Sequence, residues 1–390
     1  MRFPRLRWRP VFAFLLSAGL AGLAGCAGVP SEASRTTEAA SALLGEVREI
    51  TSREGLPEAK SHLVARLAER DDSDGALERR VIRTTADPDL VLPDSLAALP
   101  YSRRQRTALA IIPGTRAGNQ NGRDHTRECL AGAAAQSLEM GFATHFLQTE
   151  ARGTIAQNAG LVARQMRGIF EESDAVMILM LSKGAHDVIH YLQRGGADLP
   201  AAHRRKLVAV ISLAGTLQGS VVADWIVTSE RPLAASTRAW LTLSGQADAI
   251  EMLHSIAESP WEEGAASRMA LLYPHLTWVS IAMVPDGSDG RIRERLWSPF
   301  LRLRVEKTAV AYSPTDGLVE SGASVLPETV PLPEWIVTAY GSHAMPNGTY
   351  RDGSRIAPQT TDPAREKLKP ETGGEVISAY LRALPQSLLH

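Results

Sequence analysis

Several things are scarce in these 390 residues, and each scarcity closes a route. There are only two cysteines, Cys26 and Cys129, so no disulfide framework can replace a buried core. Net charge is −1 and the basic residues are scattered, so nothing argues for a nucleic-acid partner or for steering a highly charged substrate. The apolar run 11–25 is fifteen residues long, short of the roughly 20 that a spanning helix needs. The glycine-rich loop 114–122 lacks G-x-G-x-x-G and a Walker lysine, which removes the usual phosphate-binding patterns. His186 and His190 mimic half of a zinc site, with Asp187 in place of the glutamate, but no third ligand follows. No metal or cofactor is expected. What is present is ordinary for a globular protein with a real core: 44% apolar and 22% charged residues, in a length that suits one large α/β domain with insertions.

The N-terminal 25 residues stand apart. Residues 1–10 carry four arginines and no acid, and the apolar run follows at once. Length and flanks are those of an export signal. Leu23-Ala24-Gly25-Cys26 resembles a bacterial lipobox. That resemblance implies cleavage before Cys26, a diacylglycerol on its sulfur and acylation of the new N-terminus, a multiple anchor that holds firmly where one chain would not. Ala27 after the cysteine resembles the sorting signature for the outer membrane. Residues 26–46, small and polar, are expected to be a lipid-anchored tether, and 47–100 a lead-in packed on the main domain. In the lead-in, Val81 to Thr84 and Leu90 to Leu92 are candidates for short edge strands. Cys129, left without a partner, is expected to be a small buried apolar residue.

From residue 101 apolar strands alternate with helical patterns at the spacing of βαβ units. Strands are expected at Ala108 to Pro113, Phe142 to Leu147, Ala175 to Leu181, Leu207 to Leu213, Thr277 to Met283, Lys307 to Tyr312 and Glu334 to Ala339. Helices are expected from about Thr126 to Met140 and Ile155 to Glu171, after the third strand to about Gln193, and near the C-terminus. Runs apolar on both sides are what a covered, mostly parallel sheet requires. Residues 225–275 show helical spacing and no strand, the composition of a lid or cap over the sheet's C-terminal edge. Functional loops belong at that edge.

One strand end carries the most information. Ala175 to Leu181 runs straight into Ser182-Lys183-Gly184 and then a helical pattern, the layout of a nucleophile elbow. Such a turn lifts the serine hydroxyl above the sheet edge, beside the free N–H groups and positive end of a helix. A serine needs a histidine to take its proton and an acid to orient that histidine. His343 follows the last strand and Asp316 lies in the loop before it, giving the order Ser182, Asp316, His343. Asp286 and Asp289, in the loop after Thr277 to Met283, remain alternative acids. Oxyanion donors are expected from the N–H groups of Lys183 and Thr115. The Lys183 side chain either faces solvent or pairs with Asp187 one turn on. His186 and His190 are expected on the surface or facing the cap, and Asp224 is expected to support the loop after Leu207 to Leu213.

With those residues in place, the chain resembles an α/β-hydrolase of the bacterial lipase and esterase kind over about residues 105–345. Ile111-Ile112-Pro113-Gly114-Thr115 resembles the oxyanion strand and loop, with Pro113 where many members have histidine. Leu181-Ser182-Lys183-Gly184 resembles the elbow in its serine-lysine-glycine version. Ala214 to Asp224 resembles the T-P-x-x-G-S-x-x-A-D stretch, and Thr315 to Val319 the acid loop. Met180, at the position of the first elbow glycine, is the main departure. The resemblance implies ester hydrolysis through an acyl-enzyme, with an acyl-ester or lipid substrate. Phospholipids, lactones or polyesters, and amides remain open on the same machinery, as does a non-catalytic outer-membrane lipoprotein using the fold for binding.

Overall fold

The structure, a computed structural model, describes residues 41–114, 134–150, 152–230, 232–243, 247–262, 264–284, 313–340, 343 and 373–389. Six parallel strands form one sheet: β1 (Thr107–Ile112), β2 (Ala143–Phe146), β3 (Ala175–Leu181), β4 (Leu207–Leu213), β5 (Thr277–Val284) and β6 (Glu334–Tyr340), in the order β2-β1-β3-β4-β5-β6. Every residue of β1, β3 and β4 is buried. That explains their unbroken apolar runs: a parallel strand covered on both faces has no polar side to show. The expected strand Lys307 to Tyr312 and most of the helix expected from Thr126 lie outside the described residues, as does Cys129.

Alternation along each strand divides the core. Leu109, Ile111, Met177, Leu179, Leu181, Ile211 and Leu213 share one cluster with Leu77, Val81, Tyr380 and Leu381, so α3 (Ala76–Ala86) and the C-terminal α10 (Gly373–Ala383) cover that face. Ala108, Ala110, Ile112, Ile178 and Met180 face the other way, against α4 (Ile155–Glu172), α5 (Gly184–His190) and α9 (Ala265–Leu272). A capping box of Thr154 and Gln157 starts α4. The result is a parallel six-stranded sheet between helices, as the sequence pattern implies, consistent with the α/β-hydrolase fold that the resemblance implies.

Two parts of the N-terminal expectation need correction. Helix α1 (Ala42–Glu54) begins inside the stretch expected to be tether, because Leu43, Leu44 and Val47 find a buried surface there. Val81 to Thr84 is no strand; it belongs to α3, whose Leu77, Val81 and Thr84 recur at helical spacing and are buried. Leu90 to Leu92 is irregular. Helices α1 and α2 (Leu56–Arg70) form a hairpin about Gly55, whose φ of 102° suits glycine, and pack Leu43, Leu63 and Leu67 onto Ala282 of β5 and Ile336 of β6.

The residues expected to form a cap split in two. Helices α6 (Val221–Thr228), α7 (Pro232–Leu243) and α8 (Ala247–Ala257) have their own apolar cluster of Val222, Trp225, Ile226, Leu241, Met252, Leu253 and Ile256. Helix α9, at the end of the expected cap, instead sends Met269 and the following Tyr273 into the sheet-facing core.

The outer edge of β6 is capped by carboxylates. Asp72 accepts from Glu334 N at 2.7 Å and Asp71 from Ile336 N at 2.9 Å, occupying N–H groups that could otherwise template another strand. Burial pushes the Glu334 carboxyl up to about 7, against the hydrogen bonds from Ser280 and Leu326 N and the nearby Arg70. A carboxyl whose pKa rises on folding stabilises the fold fully below its unfolded value of 4.5, and that stabilisation is lost as pH climbs through 7. Glu334→Gln is therefore expected to flatten the fall in Tm between pH 5 and 8, measured by thermal melts of both proteins; parallel curves would contradict it.

Candidate active site

Strand order reverses beside β1: β2 lies on one side of it and β3 on the other, so their C-terminal ends open a crevice where doubly wound sheets bind ligands. Ser182 follows β3 at that point, with φ of 53°, a left-handed conformation that costs a non-glycine residue about 1–3 kcal/mol. Its N–H donates to Leu213 O at 3.1 Å, while its carbonyl accepts from Ala185 N at 3.0 Å and Thr216 N at 3.3 Å. Those bonds hold the turn against the strain. Glycines let the neighbouring chains close in: a Cβ on Gly114 would sit 2.9 Å from both Leu181 O and Ser182 Cβ, and one on Gly184 would sit 3.0 Å from Pro113 O. Met180 occupies the place of the first elbow glycine without harm to the turn, because its side chain points away from the turn into the core under α4 and α5.

Three side chains expected from sequence meet above this turn. His343 Nε2 lies 2.8 Å from Ser182 Oγ, and His343 Nδ1 lies 2.7 Å from Asp316 Oδ2. Asp316 is 0% exposed. Its other oxygen, Oδ1, accepts from Leu318 N at 2.9 Å and Val319 N at 2.8 Å. Two backbone donors thus hold the carboxylate so that its free oxygen faces the ring. With Asp316 accepting from Nδ1–H, the lone pair of Nε2 faces the serine hydroxyl, which donates to it. The Asp316 loop turns through Gly317, at φ of 104°, and His343 N donates to Asp316 O at 2.8 Å. Asp286, Asp289 and Thr115 lie outside the described residues, as does Cys26.

Lys183 follows the serine and opens α5, where the first N–H groups have no intrahelical acceptor. Its side chain is buried, not solvent-facing: Nζ donates to both oxygens of Asp187 at 2.9 Å. Asp187 also accepts from Asn158 Nδ2 at 3.0 Å, and Asn158 is clamped to both backbone groups of Glu150. Burial raises the Asp187 carboxyl to about 6, opposed by Lys183 and Asn158. Committed to this pair and aimed into the core, the lysine is not a base for Ser182.

Of the two positions expected for His186, it takes the one facing the cap and not the surface. It is buried, with Nδ1 2.6 Å from Thr216 Oγ1 and Nε2 3.0 Å from Glu258 O, just beyond α8. Burial lowers it to about 4, so the ring is neutral near pH 7; Nε2–H donates to the carbonyl and Nδ1 accepts from the threonine. Both ring nitrogens are used, which leaves none for a metal. His190 is half-buried, and burial lowers it too. Asp224 is buried on α6, and its Oδ1 has no hydrogen-bond partner among the described residues. The loop it was expected to support is held otherwise: Ser220 donates its hydroxyl to Leu318 O and its N–H to Ile256 O, and Trp261 Nε1 donates to Leu217 O. Sequence reasoning did not pick out Asn158, Thr216 or Glu258, whose partners come from distant segments.

No protein-family model matches the chain, and no curated protein matches it. Among solved structures, it is similar to the mature form of Bacillus licheniformis lipase BlEst2, with 15% identity over 62% of this chain and 85% of that one and a TM-score of 0.42. It is also similar to the metagenomic carboxyl esterase MGS0156, with 17% identity over 94% of this chain and 97% of that one and a TM-score of 0.41.

Removing one partner of a buried ion pair strands the other charge, typically at a cost of about 3–5 kcal/mol, whereas replacing both with apolar groups is much milder. Lys183→Met is therefore expected to lower stability by about that amount in denaturant melts, and Lys183→Met with Asp187→Leu to recover most of it. Equal losses in both variants would show that the pair is not held as described.

Proposed function

We propose that the chain hydrolyses carboxylic esters through an acyl-enzyme on Ser182. The hydrogen-bonded line Ser182 Oγ–His343–Asp316, seated on a strained turn at the sheet's switch point, carries the reading. Ser182 Oγ attacks the ester carbonyl as His343 Nε2 takes its proton. Asp316 stabilises the imidazolium so formed and keeps the ring in the tautomer that can accept. Charge gathers on the former carbonyl oxygen, where the N–H groups of Lys183 and Thr115 are the proposed donors; such a donor is typically worth about 3 kcal/mol. Collapse expels the alcohol, which leaves with the proton from His343. Water then attacks the acyl-serine, giving its proton to His343, and the acid departs as Ser182 recovers its own.

The proposed substrate is an acyl ester or lipid. Leu318, two residues from Asp316, packs against the α6–α8 cluster, so those helices border the site and would contact the acyl chain. No helix among the described residues is long and apolar enough to cross a membrane. Lipidation of Cys26, exported to the outer membrane, is the proposed attachment, and it rests on the lipobox-like Leu23-Ala24-Gly25-Cys26 alone.

A fluorophosphonate probe is expected to label Ser182, with labelling lost in Ser182→Ala and weakened in His343→Ala. Folded wild type that stays unlabelled would overturn the proposal. Turnover of a p-nitrophenyl ester is expected to fall on the order of 10⁴-fold in Asp316→Asn, where the histidine is free to take the wrong tautomer. An active Asp316→Asn would move the acid role to another residue. For the anchor, Cys26→Ser expressed in a bacterial envelope is expected in the soluble fraction; continued sedimentation with membranes would refute lipidation at that cysteine.

A further inference from the structure

The carboxylate of Asp316 is aimed by the turn that carries it, and that turn is braced from a segment ahead of the sheet domain. Glu320 closes it: Thr315 and Glu320 form an antiparallel bridge, and Ser321 N donates to Pro314 O at 2.9 Å. The Glu320 side chain is folded inward and its residue is only 2% exposed. Its Oε1 accepts from Ser313 Oγ at 2.7 Å, which ties the two ends of the turn together. A buried carboxylate with a single hydroxyl donor would be far from compensated. The compensation comes from helix α1, where Arg48 Nε donates to Oε1 at 2.9 Å and Nη2 to Oε2 at 2.5 Å, a two-pronged pairing that fixes direction as well as charge.

The same helix covers the turn with apolar surface. Leu44, one turn before Arg48, packs with Val319 and Ala323. Val319 is itself one of the two residues whose N–H groups hold Asp316 Oδ1. Gln218, from the loop after β4, completes the frame: it donates to Gly322 O and Val325 O and accepts from Ser41 N, the residue that caps α1. Both the closure of the turn, through the Arg48–Glu320 pair, and the seating of Val319, through Leu44, therefore lead back to α1.

We infer that Arg48, acting through Glu320, is a positioning residue for Asp316, so that helix α1 belongs to the working site although it precedes the hydrolase-like stretch of the chain. The inference rests on the proposed role of Asp316. Its test pairs Arg48→Met with Glu320→Gln, because Arg48→Met alone would strand a buried charge and could simply unfold the chain. Circular dichroism and a thermal melt establish that the double variant is folded. Its kcat for a short-chain p-nitrophenyl ester is expected to drop at least about tenfold with KM nearly unchanged, as for a group acting on the chemical step and not on substrate binding. Arg48→Lys, which keeps the charge but not the fork, is expected to fall between. In the proton NMR spectrum, the low-field resonance of His343 Nδ1–H is expected in the wild type and weakened or broadened in the double variant. A folded double variant with wild-type kcat and an intact resonance would overturn the inference, even if its Tm were lower. Should the wild type lack esterase activity altogether, the ester reading fails by itself, and the resonance still decides whether Arg48 holds the Asp316–His343 pair.

Discussion

The rest of the site depends on one residue, Ser182, adopting a backbone conformation that side chains usually avoid. A chain leaving β3 must reverse at once into α5, and only a left-handed residue makes that turn so sharp. The strain is carried by what surrounds it: Leu213 O on one side, Thr216 N on the other, and two glycines that let neighbouring backbone approach where a Cβ would collide. Ala214, at the end of β4, has φ of 45° and donates its N–H to Ile281 O, so the adjacent strand end is bent by a similar device. The C-terminal edge of the sheet is thereby drawn into one small volume at β1, β3 and β4.

Electrostatics then keeps the neighbouring groups in their states. The lysine next to the serine is neutralised inside the protein by Asp187, and His186 is held neutral by burial between Thr216 and the Glu258 carbonyl. His186 therefore adds no charge beside Ser182 near pH 7. The histidine that does face the serine is oriented by a carboxylate whose second oxygen is taken up by backbone N–H groups. Further bracing at this edge comes from other segments: Asn158 of α4 for Asp187, Glu258 at the end of α8 for His186, and α1, through Glu320, for the turn of Asp316.

Much of this was legible in the chain. The apolar runs of β1, β3 and β4 announce a sheet covered on both faces, since burial on two sides removes the polar alternation that an exposed strand shows. The α6–α8 region showed helical spacing for the same kind of reason. The stretch Val81 to Thr84 misled because three β-branched residues suggest a strand, whereas the burial of Leu77, Val81 and Thr84 follows the period of a helix. Local propensity lost there to packing against the sheet.

The sequence by itself determined which residues could meet. A serine, an acid and a histidine in that order, each just past the C-terminal end of an expected strand, with glycine at positions 114 and 184, follow from the period of βαβ units and the steric needs of a sharp turn. It left three aspartates as candidates and two directions for Lys183, because the direction of a side chain is set by the surfaces that the fold packs around it. Tertiary structure decided that Asp316 lies against His343, that Lys183 turns inward to Asp187, and that Met180 is harmless because an even position on β3 faces the helices and not the turn. It alone brought Arg48 to Glu320 across 272 positions of chain. Periodicity is local and survives in the sequence; whether a charge is buried, and whether its partner lies one turn on as for Lys183 or far along the chain as for Arg48, depends on which surfaces the whole fold brings into contact.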